Sequence, residues 1–447
     1  MEYAAVVRAA HDVAPTERKD RPGLVLAAYV PVLVVVTAGF LFSPRAPAEL
    51  HVCGHTIGLG RASFVLNCDS PSFITVAMRP SALFDWGDIL QERPLYVVAA
   101  GALGHALGPA LAAAGPVPPQ AYEALADFSS RWRRIPPDQV FAAWLAYVLL
   151  NATVLLGALL AFHYVVAGWS APGPGLVALA SLLLSNDVVK SFFWTPHTQM
   201  FNVIGPVGCV VACRALLERA DRRVLGVGAL GLGLGLASLA YGSFAFWIPP
   251  LLVALALGRL DRTAFLVRAS ALVAGFAIPN AAWMATCMLS GEYYSHAVEF
   301  YRQFVWIVDT LRVGWGAFVS AWYSNSRTFL RVAWQVLPFP LGLLAGAIGW
   351  AWLAGVPLRG IVREQRTTVV AVGLTLAASL LFFDLQGFYA ARLAWNLVPP
   401  LFILAALIER QIERNASPGW RTATVLAAIC TALGMFAHEV VKAGPWV

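Results

Sequence analysis

Apolar runs of close to twenty residues recur along this whole chain, and nothing else restricts its fold so severely. The first, at 23–43, reads GLVLAAYVPVLVVVTAGFLFS. About 20 such residues, coiled as a helix, cross the hydrocarbon core of a bilayer. No water is available there, so a segment must satisfy its own backbone groups, and a helix does so. Further runs lie at about 95–115, 139–167, 201–218, 224–241, 243–258, 264–289, 331–354, 367–383, 393–409 and 421–441. Only 12% of the residues are charged, against about 25% in a soluble domain, too few to cover a water-facing surface. The reading is an all-α polytopic membrane protein with a tail at 1–22 and a single transmembrane domain at 23–447. The first run is too long for the core of a signal peptide, so it is taken as an uncleaved span despite the APA at 46–48. The net charge of +7 belongs to the loops and implies no nucleic-acid partner.

The run 173–190 is short and ends in Asn186, Asp187 and Lys190. Charge of that kind is tolerated in a cavity or near an interface, so the run is expected to be a half-span that enters and leaves on one side. That gives about 11 spans plus one half-span. Lys and Arg mark cytoplasmic loops. With Arg8, Arg18, Lys19 and Arg21 inside, RWRR at 131–134, RADRR at 219–223, RLDR at 259–262, RGIVREQR at 359–366 and RQIER at 410–414 fall inside as well. The segments 44–94, 168–200, 290–330 and 384–392 are then extracytoplasmic.

The densest acid cluster sits in the first of these, in NCDSPSFITVAMRPSALFDWGDILQERPLY at 67–96. Asp69, Asp85, Asp88 and Glu92 lie there with Arg79 and Arg93. DSPS is a helix start, with Asp69 as N-cap and Pro71 in the first turn. Phe73, Ile74 and Val76 to Met78 give the following short helix an apolar face for the membrane surface.

This arrangement resembles the type-C (GT-C) membrane glycosyltransferases. Their first external loop opens with an acid and a short helix, D-x-x-x-[YF]-x-x-x-A, matched by Asp69, Phe73 and Ala77, and closes on an Arg-Pro approach to span two, matched by ERPLY at 92–96. QGFYAARLAWNLVPPLFIL at 386–404 is similar to the family's Arg followed by an aromatic- and proline-containing span start, with Arg392, Pro399 and Pro400. The family's second acid is absent; FFWTPHTQMFN at 192–202 offers His197 and Gln199 instead, a departure that argues against metal dependence.

The resemblance implies a GT-C-like bundle in the plasma (inner) membrane. It would move a sugar from a polyprenyl-phosphate donor to an extracytoplasmic glycan or glycolipid acceptor, with membrane lipid around it; no cofactor is indicated, and a divalent metal stays open. Asp69 would be the base, since a neutral hydroxyl is a poor nucleophile. Arg392, then Arg93 and Arg79, would hold the donor phosphate, because Arg grips phosphate with two parallel bonds. Asp85, Asp88, Glu92, His197, Gln199, Glu292, His296 and Tyr389 would contact substrate. Arg392 also reads as a side chain snorkelling to head groups at a span end, and His197 as a structural hydrogen-bonding residue.

The loop at 290–330 is rich in aromatics, with Glu292, His296, Glu299 and Arg302 at helical spacing. It suits an amphipathic helix in the aromatic belt or an acceptor groove. Two other functions stay open. A lipid or solute transporter would place polar groups near the midplane of two related halves. A ligase or polymerase of lipid-linked glycans would not need Asp69. GVGALG at 226–231 spells a dinucleotide motif inside an apolar run, where its glycines read as close helix packing. Cys53 and Cys68 share the first external loop, in a compartment where disulfides persist, and a bridge between them would pin the residue beside Asp69.

Overall fold

The computed structural model describes residues 22–44, 55–59, 61–85, 88–114, 135–218, 223–258, 260–291 and 293–444. Nearly all of this is helix: α1 Pro22–Phe40, α2 Ser70–Met78, α3 Pro94–Ala114, α4 Pro137–Ala167, α5 Pro174–Ser181, α6 Asp187–Phe192, α7 Phe201–Glu218, α8 Val224–Ala240, α9 Ile248–Leu257, α10 Arg262–Ser290, α11 His296–Glu299, α12 Val305–Val313, α13 Trp315–Ala333, α14 Pro338–Leu353, α15 Leu358–Glu364, α16 Arg366–Gln386, α17 Ala391–Ala394, α18 Val398–Asn415 and α19 Pro418–Val441. Proline opens several of them, where its missing N–H would be unpaired anyway. Among the described residues the only sheet is the antiparallel hairpin of β1 His55–Leu59 and β2 Ala62–Leu66, in which Thr56 faces Val65. Eight described helices are long and apolar enough to cross a membrane, or nine if the pair α13 and α14, bent by 69°, is one span. The all-α multi-pass membrane reading therefore stands.

The bundle has two distinct ends. At one, Arg214 of α7 donates to the carbonyl of Val165 at 2.9 Å, Arg410 of α18 donates to that of Val166, and Thr367 of α16 donates to Glu218 at 3.1 Å. Arg366 and Arg414 belong to the same helix termini. At the other end Asp69 and Arg392 line one cavity.

Two expected segments run differently. The half-span at 173–190 does not return to its own side. Its start, Gly175, lies against Glu409 near the end of α18, and its finish, Lys190, donates to the carbonyls of Glu439 and Lys442 at the far end of α19. Because α18 and α19 join by a short turn, those are opposite ends of the bundle. The charge at 187–190 marks arrival at an interface: Lys442 also pairs with Asp187 at 2.6 Å.

The second departure is the run at 95–115. Tyr96, near the start of α3, bonds Asn151 of α4, whereas Gly104 further along lies against Ala142 and Ala143. Since α4 ends at the basic end, α3 runs away from it, and α4 starts at the Asp69 end rather than with the basic loops. The two departures compensate, so α7 runs from the Asp69 end, where Asn202 holds the Arg392 carbonyl, to the basic end at Arg214, as expected. The loop 290–330 also holds more helix than one surface element, with α13 alone spanning 19 residues.

Glycine packing explains the GVGALG stretch in part. A Cβ at Gly231 or Gly235 of α8 would meet the carbonyls of Leu272 or Phe276 on α10, and one at Gly275 would meet that of Gly228. A Cβ at Gly226 or Gly233 would meet nothing within 4 Å. The two helices approach closely enough to carry Ser238 and Asn280 together to the rim of the cavity, where the Ser238 hydroxyl donates to Asn280 Oδ1 at 2.9 Å.

Candidate functional site

The turn before α2 decides what Asp69 is free to do. Asn67 Oδ1 accepts from the amides of Asp69 (3.1 Å) and Ser70 (2.9 Å) and from the Ser70 hydroxyl (2.9 Å). Asn67 thus makes the local side-chain-to-backbone bonds expected of Asp69, and the Asp69 side chain makes no cap bond. Its carboxylate instead accepts from Nε2 of His197 at 3.1 Å. Cys68, next in the chain, is disulfide-bonded; Cys53 lies outside the described residues.

His197 is held on all sides. Tyr96 donates to its carbonyl at 3.1 Å, and the Phe73 and Phe192 rings pack at 5.6 and 4.8 Å. The side chain is 2% exposed against 42% for Asp69, so the carboxylate opens to the cavity and the imidazole backs it. His197 Nδ1 is buried and unpartnered. The hydrogen bond from His197 brings Asp69 down to about 2, against the effect of its burial, with the charges of His197, Arg392 and Arg93 helping. Burial brings His197 down to about 4, against the pull of Asp69. At neutral pH the pair is therefore a carboxylate facing a neutral imidazole whose Nε2–H donates.

These residues line one cavity of about 440 Å³. It brings together Asp69, Glu92, Arg93, His197, Gln199, His296 and Arg392 from segments separated by hundreds of residues. Both arginines lie against aromatic faces, Arg93 at 5.9 Å from the Tyr241 ring centre and Arg392 at 5.8 Å from that of Phe192, as cations favour. Nε of Arg392 is buried without a partner. Phe246, Phe276, Met284, Phe382 and Phe388 also line the cavity.

The backbone that carries Arg392 is fixed by Asn202. Its Nδ2 donates to the Arg392 carbonyl (2.9 Å) and to Gln199 Oε1 (2.5 Å), while its Oδ1 accepts from Tyr241 (2.8 Å) and Asn396 (3.0 Å). Gln199 is therefore occupied in positioning. Glu92 is occupied too: it accepts from the Ser295 hydroxyl at 2.5 Å and the Ala297 amide at 3.2 Å, at the start of α11. Beside it, Gln91 accepts from the Tyr294 amide at 2.7 Å. Together Gln91 and Glu92 clamp the 293–304 segment over the cavity. His296 stacks on Phe300 at 4.8 Å, and burial lowers its affinity for a proton.

Other expected site residues lie elsewhere. Arg79 and Asp85 are exposed and do not line the cavity. Asp88 accepts from the Leu90 amide at 2.8 Å, which fixes a turn. Tyr389 donates to the Asp384 carbonyl at 3.0 Å, outside the cavity lining. Glu292 falls outside the described residues. Conversely, Asn202, Tyr241, Ser238 and Asn280 were not singled out from sequence, although an Asn within an apolar run is itself a signal. Among the described residues no three His, Cys, Asp or Glu side chains converge as a metal site.

The Asp69–His197 pair predicts acid sensitivity. An unfolded histidine takes its proton near 6.5 and the folded His197 near 4, so its contribution to stability is complete above pH 6.5 and declines as pH falls to 4. Asp69 drops from 3.8 to about 2, so its contribution is lost below that, as pH falls through 2. The thermal transition of the purified chain should fall between pH 6.5 and 4, and His197→Gln should flatten that window. An equal slope in the variant would assign the acid sensitivity to other groups.

No family model, no curated protein and no solved structure matches this chain.

Proposed function

We propose that the chain is a GT-C-like membrane glycosyltransferase that takes a sugar from a polyprenyl-phosphate donor and passes it to a glycan or glycolipid hydroxyl on the extracytoplasmic side of the plasma membrane. One observation carries the reading: a carboxylate, Asp69, shares a cavity with two arginines and with apolar side chains. A lipid-phosphate donor needs all three at once. Its chain stays in hydrocarbon, its phosphate needs fixed cations, and its acceptor needs a proton acceptor. The proposed side rests on Arg214 and Arg410, with Arg366 and Arg414 at the same helix termini, at the opposite end, since such residues mark the cytoplasm; RWRR at 131–134, outside the described residues, precedes α4 and is not part of this set.

In the proposed step the acceptor oxygen bonds to the anomeric carbon and the carbon–oxygen bond to phosphate breaks. The phosphate leaves with the electron pair, and Arg392 and Arg93 take up its charge. The hydroxyl proton goes to Asp69. A carboxylate brought down to about 2 is a weak base, so transfer is downhill only once the attacking oxygen has begun to bond carbon and its proton has become strongly acidic. His197, neutral and donating, keeps the receiving carboxylate aimed at the cavity.

The test supplies purified chain with polyprenyl-phosphate-linked sugars and candidate acceptors. Polyprenyl phosphate and glycosylated acceptor should appear in equal amounts. In proteoliposomes, passage of the intact lipid-linked sugar between leaflets without cleavage would make the chain a transporter instead. Turnover that survives loss of the Asp69 carboxylate would favour a ligase.

A further inference from the structure

Two non-glycine residues hold left-handed backbone, Arg302 at φ 53° and Phe304 at φ 62°, one on each side of Gln303. Such backbone is uncommon outside glycine and persists only where the surroundings over-determine it, often at ligand-binding sites. Here the surroundings do so. The Phe304 amide donates to the Gln386 carbonyl at 3.0 Å, and the Trp306 indole donates to that of Leu385 at 2.9 Å. The Phe304 ring packs on Phe382 at 5.3 Å, and Arg302 pairs with Asp309 at 3.1 Å. Gly387, left-handed at φ 77°, lies against the same indole, which a Cβ there would meet at 2.5 Å. Residues 302–306 are thereby locked to the end of α16.

The lock brings the Gln303 and Gln386 backbones side by side, and both residues line the cavity that holds Asp69. Gln303 is half-buried. Gln386 is only 6% exposed, and its Oε1 has no hydrogen-bond partner. A buried polar atom left in that state calls for a reason. A carboxamide carries donors on nitrogen and an acceptor on oxygen, and rotation about its last side-chain bond is soft, so either end can turn to a ligand. A phosphate oxygen only accepts, which suits the arginines. A hydroxyl both donates and accepts, which suits a carboxamide.

We propose that Gln303 and Gln386 hold a hydroxyl of the sugar carried by the lipid phosphate, and so set which sugar the chain takes. The inference rests on the donor reading above. Arg392 lies just beyond Gln386, in α17, and lines the same cavity, so a phosphate on Arg392 and the sugar attached to it share one space. Ligand pockets use a few such polar groups to fix orientation. A site built to bond a hydroxyl rejects the analogue that lacks it, because the site's own groups are then left unpaired.

Binding to the purified full chain tests it, with polyprenyl phosphate carrying mannose, glucose, galactose or arabinose, the monodeoxy analogues of each, and bare polyprenyl phosphate as control. In the wild type one sugar should bind best, and one of its deoxy analogues should bind about tenfold more weakly. Gln386→Met, similar in size and without the amide, should bind that sugar and that analogue equally, with the bare lipid unchanged. Its thermal transition should be no lower than that of the wild type, because an oxygen without a partner is removed. Gln303→Met should reduce the same penalty. Equal binding of every sugar and analogue by the wild type, or a deoxy penalty that persists in Gln386→Met, would overturn this inference alone, provided the bare lipid binds. A penalty that Gln386→Met removes from acceptor analogues and not from donor ones would overturn the assignment to the donor sugar. Failure of the wild type to bind even bare polyprenyl phosphate would bring down the donor reading, and this inference with it.

Discussion

Asp69→Asn should lower sugar transfer by about 10²-fold or more while leaving donor binding and the thermal transition at neutral pH nearly unchanged. The asymmetry follows from how the residue is held. The turn before α2 is closed by Asn67, so no backbone bond is lost with the carboxylate. An amide oxygen at position 69 still accepts from His197 Nε2, so the imidazole keeps a partner. What disappears is the negative charge that takes the proton. Full activity in purified Asp69→Asn protein would remove Asp69 from the chemistry and leave it as a partner for His197. A fall in donor affinity as large as the fall in rate would point to a positioning role. His197→Gln should cost less, because it loosens the carboxylate without removing it.

The sequence made the membrane bundle legible because crossing hydrocarbon imposes a length and a composition that no loop imitates. It made the core of the cavity legible because Asp69, His197 and Arg392 each follow or precede an apolar run on one expected side. It was silent on α3 and on 173–192 for a physical reason. Hydropathy records that a segment avoids water, and does not record which way it travels. The contacts of Gly175 with Glu409 and of Lys190 with the end of α19 carry that information, and both are long-range. Expected and observed directions nevertheless agree again at α7, because the departures of α3 and of 173–192 cancel.

Two of the acids carry structural work that residue type does not reveal. Asp88 and Glu92 are acids in an external loop, as a substrate-binding group would be. Yet each closes a backbone feature, a turn amide for Asp88 and the Ala297 amide in the first turn of α11 for Glu92. Residue type cannot separate a carboxylate that caps from one that waits for a ligand; only its unfilled valence can. By the same count Asn202 is a positioning residue, whose bonds fix Gln199, Tyr241, Asn396 and Arg392 in one frame. The unfilled valence belongs to Arg392, whose buried Nε has no partner.

Arg392 is where two readings of one residue can be separated by a single substitution. If it snorkels to head groups, any long cation serves, and Arg392→Lys should be silent. If it grips a donor phosphate, the substitution keeps the charge but loses the planar fork and one of two parallel bonds. Hydrogen bonds to charged groups are worth about 1.5–3 kcal/mol, so kcat/KM for the lipid donor should fall roughly tenfold to a hundredfold. The loss should fall on donor KM if the bond is made equally in the ground state, and on kcat if it tightens as the phosphate gains charge. The second outcome is expected here, since the leaving phosphate becomes more negative as its bond to the sugar breaks. The local backbone should tolerate the change, because Asn202 holds the Arg392 carbonyl rather than its side chain. Unchanged kinetics in Arg392→Lys, with an unchanged thermal transition, would return Arg392 to the bilayer surface and leave Arg93 as the cation of the cavity.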